Sequence, residues 1–550
     1  MSNKIKKNIS NIQGNKLFRI LCVLGIALLS LYGFRDYGLT VDEPRQRNHL
    51  LIQTKHIFMK AGLLHYAPKT VQEAADLQTY PYRFYGVAGQ YPLLLLEYFP
   101  VIFSPEKPIF WELRHLYTRV IFLFSAATFF FINKRITKSK LVLFISMLLY
   151  MFHPRIFAHS FYNIKDLLFL SFMVFSMFFL IRFNEKTDFY NLFLLSIFSA
   201  FTINIRIMGI VIPLFVALWL LYKIIIYGKN IITHGIIYIL ITSLTLMLVW
   251  PTLWTDPIRS FCDAFIHFSH YSVWQGTVIF NGSLIKGNLP PLTYVPVWIG
   301  ITSPASHLLT WLLGILVIFY QLKSNLFSRN VPESELLIGC FSLYVIILSF
   351  MAVIIFRSTL YGDWRHLYYL FPMLCFLSVI GLEYTRLYFK RCYSVLVLVV
   401  FASLTHTLWW MVYNHPHQNV FFNFCAGRDW GKKWDRDLWR SSYKQITLEL
   451  IKTDVDRMPL IVHSGDREDL SNSLWMLPEE LKAKICLVSD IKKADYAFGN
   501  YRNVIGDYPL NSFDNMKEYL SITIDGNKIM TIFKRERLVD NSDMKKQPEI

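Results

Sequence analysis

The sequence predicts a polytopic α-helical membrane protein of about eleven transmembrane helices, followed by a small α/β soluble domain on the outer face. Three observations lead there. Of 550 residues, 54% are hydrophobic and 17% aromatic while only 17% are charged, which is too apolar for one water-soluble domain. Apolar runs of crossing length recur from Leu17 to Tyr413. From Asn414 onward the composition becomes that of a soluble domain.

The expected spans are Leu17 to Phe34, Leu116 to Asn133, Leu141 to Phe152, Leu167 to Phe183, Asn191 to Ile203, Ile207 to Ile226, Ile231 to Trp250, Ala305 to Tyr320, Glu335 to Phe356, Leu367 to Leu387 and Tyr393 to Tyr413. The third and fifth are short of the roughly 20 residues a bilayer needs and must borrow flanking residues. Tyr82 to Phe103 is apolar enough to lie in the interface. The first run is long and has no small-residue cleavage pattern after it, so it reads as an anchor and not a cleaved signal.

Orientation follows from charge. Lys4, Lys6, Lys7, Lys16 and Arg19 precede or enter the first run, and alternate loops carry "NKRITKSK", "YGKN" and "RLYFKR". These loops are expected on the cytoplasmic side, with the N-terminus inside and the C-terminal domain outside. The net charge of +18 is largely spent on such clusters, so no nucleic-acid partner is implied. The seven Cys are scattered singly and read as packing residues. The expected division is therefore a membrane domain over 1–413, with outer loops over 35–115 and 251–304, and an outer α/β domain over 414–550.

In that outer domain, "PLIVHSG", "KICLVSD" and "ADYAFGN" read as strands and "LSNSLWMLPEELKAK" as a helix. "YLSITIDGNKIMTIFKR" reads as a hairpin turning at Asp525 and Gly526. Residues 1–15 and 540–550 have the composition of disordered ends.

The outer loops hold most of the carboxylates, His and Pro close to apolar segments, so one face is expected to do the chemistry. In "YGLTVDEPRQRNHL", Thr40 and Glu43 have the spacing of a capping box, which leaves Asp42 free; a helix starting there puts Asp42, Gln46 and His49 on one face. In "HPRIFAHSFYNIKD", Arg155 and Lys165 fit snorkelling anchors, and Asp166 fits either a helix cap or a group lining a cavity. Arg206, in "NIRIMG", either snorkels or meets an anion such as a lipid phosphate. In "YGDWRHLYYLFP", Asp363 can pair locally with Arg365. "GRDWGKK" lacks the spacing of a P-loop, and the pairs Asp435/Asp437 and Asp454/Asp456 read as solvated.

Taken in order, "TVDEPRQR", "HPRIFAHSFYNIKD", "NIRIMG", "WPTLWTDP", "LPPLTYVPVWIGITSP" and "YGDWRHLYYLFP" resemble the membrane glycosyltransferases of the GT-C fold, near the protein O-mannosyltransferase and lipid A aminoarabinose transferase branch. The resemblance extends to a bacterial branch in which "HPHQNVFFN" and a "DYWG-SY" sequence follow the last span. Here the second reads "DLWRSSY", with Leu438 and Arg440 departing from the pattern.

The resemblance implies an inverting transfer of a sugar from a polyprenyl-phosphate donor to an acceptor on the outer side of a bacterial cytoplasmic membrane. It implies Asp42 as the base with Glu43 orienting it or sharing the proton, and Lys165, Arg206 and Arg365 on the donor phosphate. Asp166, His159 and His366 are then expected at the substrate. No cofactor or metal is implied, and the acceptor is not identified. Two other classes are compatible with a polytopic chain. A flippase or transporter of lipid-linked sugars should carry ionisable residues mid-span, and a scaffold should work through its outer domain alone.

Overall fold

The computed structural model describes residues 33–536 apart from 229–230, 270, 272, 324–332, 456–457, 510–511 and 514. The first expected span falls on residues 17–34 and lies outside these except for its last two positions. The expected disordered ends also lie outside.

Ten of the expected spans coincide with helices. We number the helices α1 (Glu43–Lys60), α2 (Pro108–Asn133), α3 (Lys140–Met151), α4 (Pro154–Tyr162), α5 (Ile164–Glu185), α6 (Phe189–Ile205), α7 (Val211–Tyr227), α8 (Ile232–Val249) and α9 (Pro257–Ser269). They continue as α10 (Tyr294–Thr302), α11 (Ala305–Lys323), α12 (Glu333–Ile355), α13 (Leu370–Tyr388), α14 (Lys390–Tyr413), α15 (Ser442–Thr453) and α16 (Arg467–Leu474). Among the described residues seven helices are long and apolar enough to cross a membrane, and eight crossings result if α3 and α4 form one span bent by 58°. The protein is thus a polytopic helical membrane protein.

Local chemistry sets the helix ends. Pro108 and Pro154 sit in first turns, where a missing N–H costs nothing. Ser139, Asn163 and Asp188 cap α3, α5 and α6 through side-chain oxygens. The short third span is resolved by the bend: Phe152 and His153 break the helix, and α4 continues it at a new angle. The short fifth span is α6, a 17-residue helix. Helices α11 and α13 cross so closely that a Cβ on Gly314 would collide with the Leu377 carbonyl, so only glycine fits there.

Between residues 35 and 107 the chain does not cross. Helix α1 is followed by short helical turns, including Ala88–Leu93 and Leu94–Glu97, which break the apolar stretch Tyr82 to Phe103. In the long loop, β1 (Thr277–Phe280) and β2 (Ser283–Lys286) form an antiparallel hairpin turning at Asn281 and Gly282, both with positive φ.

The C-terminal strands are β3 (Leu460–Ser464), β4 (Ile485–Leu487), β5 (Tyr496–Gly499), β6 (Met516–Ile524) and β7 (Asn527–Arg535), in the order β4-β3-β5-β7-β6. β3 runs parallel to β4 and β5, while β5, β7 and β6 are antiparallel. The expected hairpin is β6-β7, with φ of 47° at Asp525 and 77° at Gly526. The expected single helix over "LSNSLWMLPEELKAK" is two pieces, α16 and Glu479–Lys482, because Pro478 cannot continue the first.

The segment between α14 and α15 packs on α4, where Arg155 donates to the Phe421 carbonyl, on α10 and on the stretch before α1. Asn423 Nδ2 donates to the carbonyls of Gly300 and Ser303 at the end of α10, and Tyr37 donates to Gln418. Asp435 and Asp437, expected to be solvated, are buried: Asp437 accepts from Asn419 and the Ser442 amide, and Asp435 from the Ile279 amide of β1. Asp454 is also engaged, by Tyr496 and Lys534; Asp456 lies outside the described residues.

Candidate active site

Only half of the expected capping box forms: the helix begins at Glu43 with Asp42 in the N-cap position, and the Thr40 hydroxyl donates to Glu43 instead of accepting a helical amide. Glu43 Oε2 accepts from the Thr40 amide at 2.8 Å and the Thr40 hydroxyl at 2.9 Å. Its Oε1 lies 2.8 Å from His115 Nε2 on α2, so both oxygens are occupied and the residue is buried. Asp42 makes no cap bond. Its side chain, 24% exposed, points into a cavity of about 60 Å³ that α1, the start of α5, the turn at Arg206 and the loop before α13 enclose.

Seven of the eight expected site residues line this cavity: Asp42, Glu43, Lys165, Asp166, Arg206, Arg365 and His366. His159 does not. It lies behind the wall on α4, with Nδ1 on Asn163 and its ring against Tyr162, Tyr368 and Trp439.

The ion pairs differ from the local pairing expected within "YGDWRH". Asp363 is taken by Arg155 at 2.7 Å and by the Tyr368 hydroxyl at 2.9 Å. Its positive φ of 63° turns it away from the following chain. Arg365 instead donates to Asp42 at 2.8 Å, with its guanidinium 4.6 Å from the ring centroids of both Tyr361 and Trp439. Arg206 does not snorkel: it pairs with Asp166. Asp166 is not the cap of α5, since Asn163 accepts from the Asp166 amide and also donates to its carboxylate at 2.8 Å. Lys165 Nζ lies 3.2 Å above the Tyr85 ring, and among the described residues no ion pair to it occurs.

The cavity therefore carries three carboxylate–arginine pairs, Asp42 with Arg365, Asp42 with Arg45 at 3.7 Å, and Asp166 with Arg206, and one lysine set against an aromatic face. Four buried polar atoms on lining residues lack a hydrogen-bond partner among the described residues: Tyr162 OH, Arg206 Nε, His366 Nδ1 and Trp439 Nε1. Buried polar atoms ordinarily find partners, and a polar ligand or water in the chamber would satisfy groups of this kind. Burial, with Arg365 and Arg206 nearby, pushes the His366 imidazole well below its ordinary value, and His49 falls to about 3 through burial and the charges of Lys165 and Arg45. Both imidazoles are neutral at neutral pH.

A second cavity of about 150 Å³ adjoins the first and shares with it Tyr85, Lys165, Arg206, Tyr271, Tyr361 and His366. Beyond that shared wall its lining is mostly apolar, from Trp250, Phe265, Phe268, Val353, Phe356 and Leu360 among others. A compact polar chamber thus opens beside an apolar groove along α9 and α12.

Sequence reasoning missed the aromatic walls. Tyr82 and Tyr85 lie in "YPYRFYG", a tyrosine-dense stretch noted only for the interface, and density of aromatics beside carboxylates is the available signal. Trp439 belongs to "DLWRSSY", whose departures from the branch pattern concealed its place in the wall.

No protein-family model matches this chain. No curated protein matches it. Among solved structures the chain is similar to ArnT from Cupriavidus metallidurans in the apo state, at 12% identity over 94% of this chain and 98% of that one, with a TM-score of 0.48. It is also similar to ArnT from Cupriavidus metallidurans bound to undecaprenyl phosphate, at 11% identity over 93% and 97% of the two chains, with a TM-score of 0.44.

Proposed function

We propose that the protein is an inverting glycosyltransferase that moves a sugar from a polyprenyl-phosphate donor to an acceptor on the outer side of a bacterial cytoplasmic membrane. The observation that carries this reading is the shared wall: Lys165 and Arg206 stand where a cavity of about 60 Å³ with a carboxylate meets an apolar one of about 150 Å³. A ligand with a polar head, an anionic junction and an apolar tail fits that sequence of environments.

In this account the isoprenoid tail lies along α9 and α12, the phosphate meets Lys165 and then Arg365, and the sugar enters the polar chamber. Lys165 has no carboxylate to give up, so it is the first cation available to the phosphate. Arg365 is held by Asp42 until the phosphate competes for it. Its transfer to the phosphate frees Asp42 Oδ2 to accept a proton.

Asp42 then takes the acceptor hydroxyl's proton as that oxygen bonds to the anomeric carbon from the side opposite the phosphate. The carbon–oxygen bond to the phosphate breaks with its electron pair on the phosphate oxygen, where Lys165 and Arg365 stabilise the charge. Glu43 fixes the start of α1 and hence the position of Asp42, and Asp166 orients Arg206. A flippase reading gains nothing from a carboxylate at the sugar end of the chamber.

The test is native mass spectrometry of the detergent-purified protein. A co-purifying polyprenyl-phosphate sugar is expected, and its mass gives the class of sugar, such as hexose, pentose or amino sugar. Protein that carries no such lipid, and does not bind one when supplied, contradicts the reading.

A further inference from the structure

Trp439 covers the polar chamber yet belongs to the chain that leads into the C-terminal sheet. Its ring is fixed on two sides, by the Arg365 guanidinium at 4.6 Å and by the edge of His159 at 4.8 Å between ring centroids. The residue is 4% exposed, and its Nε1–H has no acceptor among the described residues. A buried donor without an acceptor is costly, and a hydroxyl-bearing ligand in the adjoining chamber can supply one.

The next residue explains why the indole sits there. Arg440 has a φ of 61°, a left-handed conformation that long side chains rarely adopt without restraint. The restraint is an ion-pair clamp: its guanidinium meets Asp469 on α16 and, at 3.1 Å, Asp466 at the start of that helix. Asp466 in turn binds Asn500 just past β5, and Tyr443 is 3.1 Å from Ser464 at the end of β3.

Those contacts surround the carboxyl ends of parallel strands β3 and β5, where the strand order reverses. Open α/β sheets bind ligands at that place. Here the crevice is occupied by Arg440 of the same chain. On the other side, Val41 donates to the Trp439 carbonyl, and Gly38 lies so close to the Ser441 carbonyl that a Cβ would not fit. Trp439 is thus held between the stretch that carries Asp42 and the C-terminal sheet.

We propose that Trp439 is a sugar-contacting residue of the donor site, its indole N–H donating to a hydroxyl of the transferred sugar, and that the clamp of Arg440 with Asp466 and Asp469 positions it there. The inference rests on the glycosyltransferase reading and adds the C-terminal sheet to donor recognition. Arg440 touches no substrate; it is a positioning residue.

The test compares full-length wild type with Trp439→Phe, Arg440→Ala and Arg440→Lys for binding of bare undecaprenyl phosphate and of undecaprenyl phosphate carrying glucose or mannose. Wild type should prefer a sugar-bearing lipid. Trp439→Phe keeps most of the ring but loses the N–H, and should bind that lipid roughly 3- to 10-fold more weakly. Its affinity for the bare lipid should not change. Arg440→Ala should reproduce that pattern, and Arg440→Lys should recover part of the preference by keeping a cation opposite Asp466 and Asp469. If Arg440→Ala does not fold, Asp469→Asn weakens the same clamp and should give the same selective loss.

A sugar preference unchanged in Trp439→Phe overturns the proposal, as does an equal loss on both lipids. A wild type that binds bare lipid but prefers neither sugar form contradicts the sugar contact. A wild type that binds none of the three lipids removes the glycosyltransferase reading, and this inference with it.

Discussion

Arg365 donates from Nη1 to Asp42 Oδ2 at 2.8 Å, across 323 residues of sequence. The pair joins the residue before α1 to the loop before α13, and it keeps the proposed base neutralised while the chamber is empty. In the proposed reaction a donor phosphate that draws Arg365 away frees Asp42 Oδ2, while Arg45 stays 3.7 Å from Oδ1. Asp166 and Arg206 form a separate pair on the same cavity, while among the described residues no ion pair to Lys165 occurs.

Lys165 should carry much of the affinity for the lipid phosphate. A hydrogen bond to a charged group contributes about 1.5–3 kcal/mol, so Lys165→Gln should weaken binding of bare polyprenyl phosphate by roughly 10- to 150-fold. Because no ion pair is broken, the melting temperature should stay close to wild type. Lipid titration and a thermal melt on the same sample check both.

The buried pair of Arg155 and Asp363 is expected to be structural. Both side chains are 4% exposed, and removing Arg155 leaves a carboxylate in the interior. Arg155→Met should cost about 3–5 kcal/mol of stability, and Asp363→Asn should cost a comparable amount because it strands the buried Arg155 guanidinium. Denaturation of purified protein measures both losses. Equal stability of all three proteins would contradict this assignment.

Asp435 gives stability a pH dependence of predictable sign. Burial pushes its carboxyl up from 3.8 to about 7, against a lowering contribution from the Ile279 amide. The folded state therefore holds a proton that the unfolded chain releases near pH 4. This contribution is complete below that value and is lost as pH rises through about 7. Wild type should melt at lower temperature at pH 8 than at pH 5 by an increment that Asp435→Asn removes. The Asn variant keeps an oxygen for the Ile279 amide.

Orientation is tested by labelling. In a background stripped of the seven native Cys, Lys138→Cys should resist an impermeant thiol reagent in intact cells, while Ser512→Cys should react. Labelling of Ser512→Cys only after the membrane is opened would reverse the orientation proposed here.

Much of the helical architecture was legible in the sequence because hydrophobic runs report bilayer length directly, and ten of the expected spans fall on helices. That Glu43 and not Asp42 bonds Thr40 was legible too, from the three-residue spacing, although the bonds are not those of a full capping box. Pairing was not. Asp363 and Arg365 are two residues apart, yet a left-handed backbone at Asp363 sends one to Arg155 and the other to Asp42. The burial of Asp435 and Asp437 was hidden for a similar reason: the partners, Ile279 and Asn419, lie in a distant hairpin and in a turn, and charge alone reads as solvated. His159 looked like a site residue by position, but the bend between α3 and α4 turns it behind the wall.

The most direct test of the account is Asp42→Asn, assayed for both turnover and lipid binding. Asn keeps the size and the hydrogen bonding of the position but cannot take the proton, so turnover of a polyprenyl-phosphate sugar should fall by roughly 10² to 10⁴. Bare polyprenyl phosphate should bind at least as tightly as to wild type, because Arg365 no longer has a carboxylate to leave. Thr40→Ala, which removes only the hydroxyl bond to Glu43, should lower stability by about 1 kcal/mol and spare turnover. An Asp42→Asn protein that melts normally, binds the lipid and is inactive supports Asp42 as the base. Full turnover in Asp42→Asn would contradict the central claim.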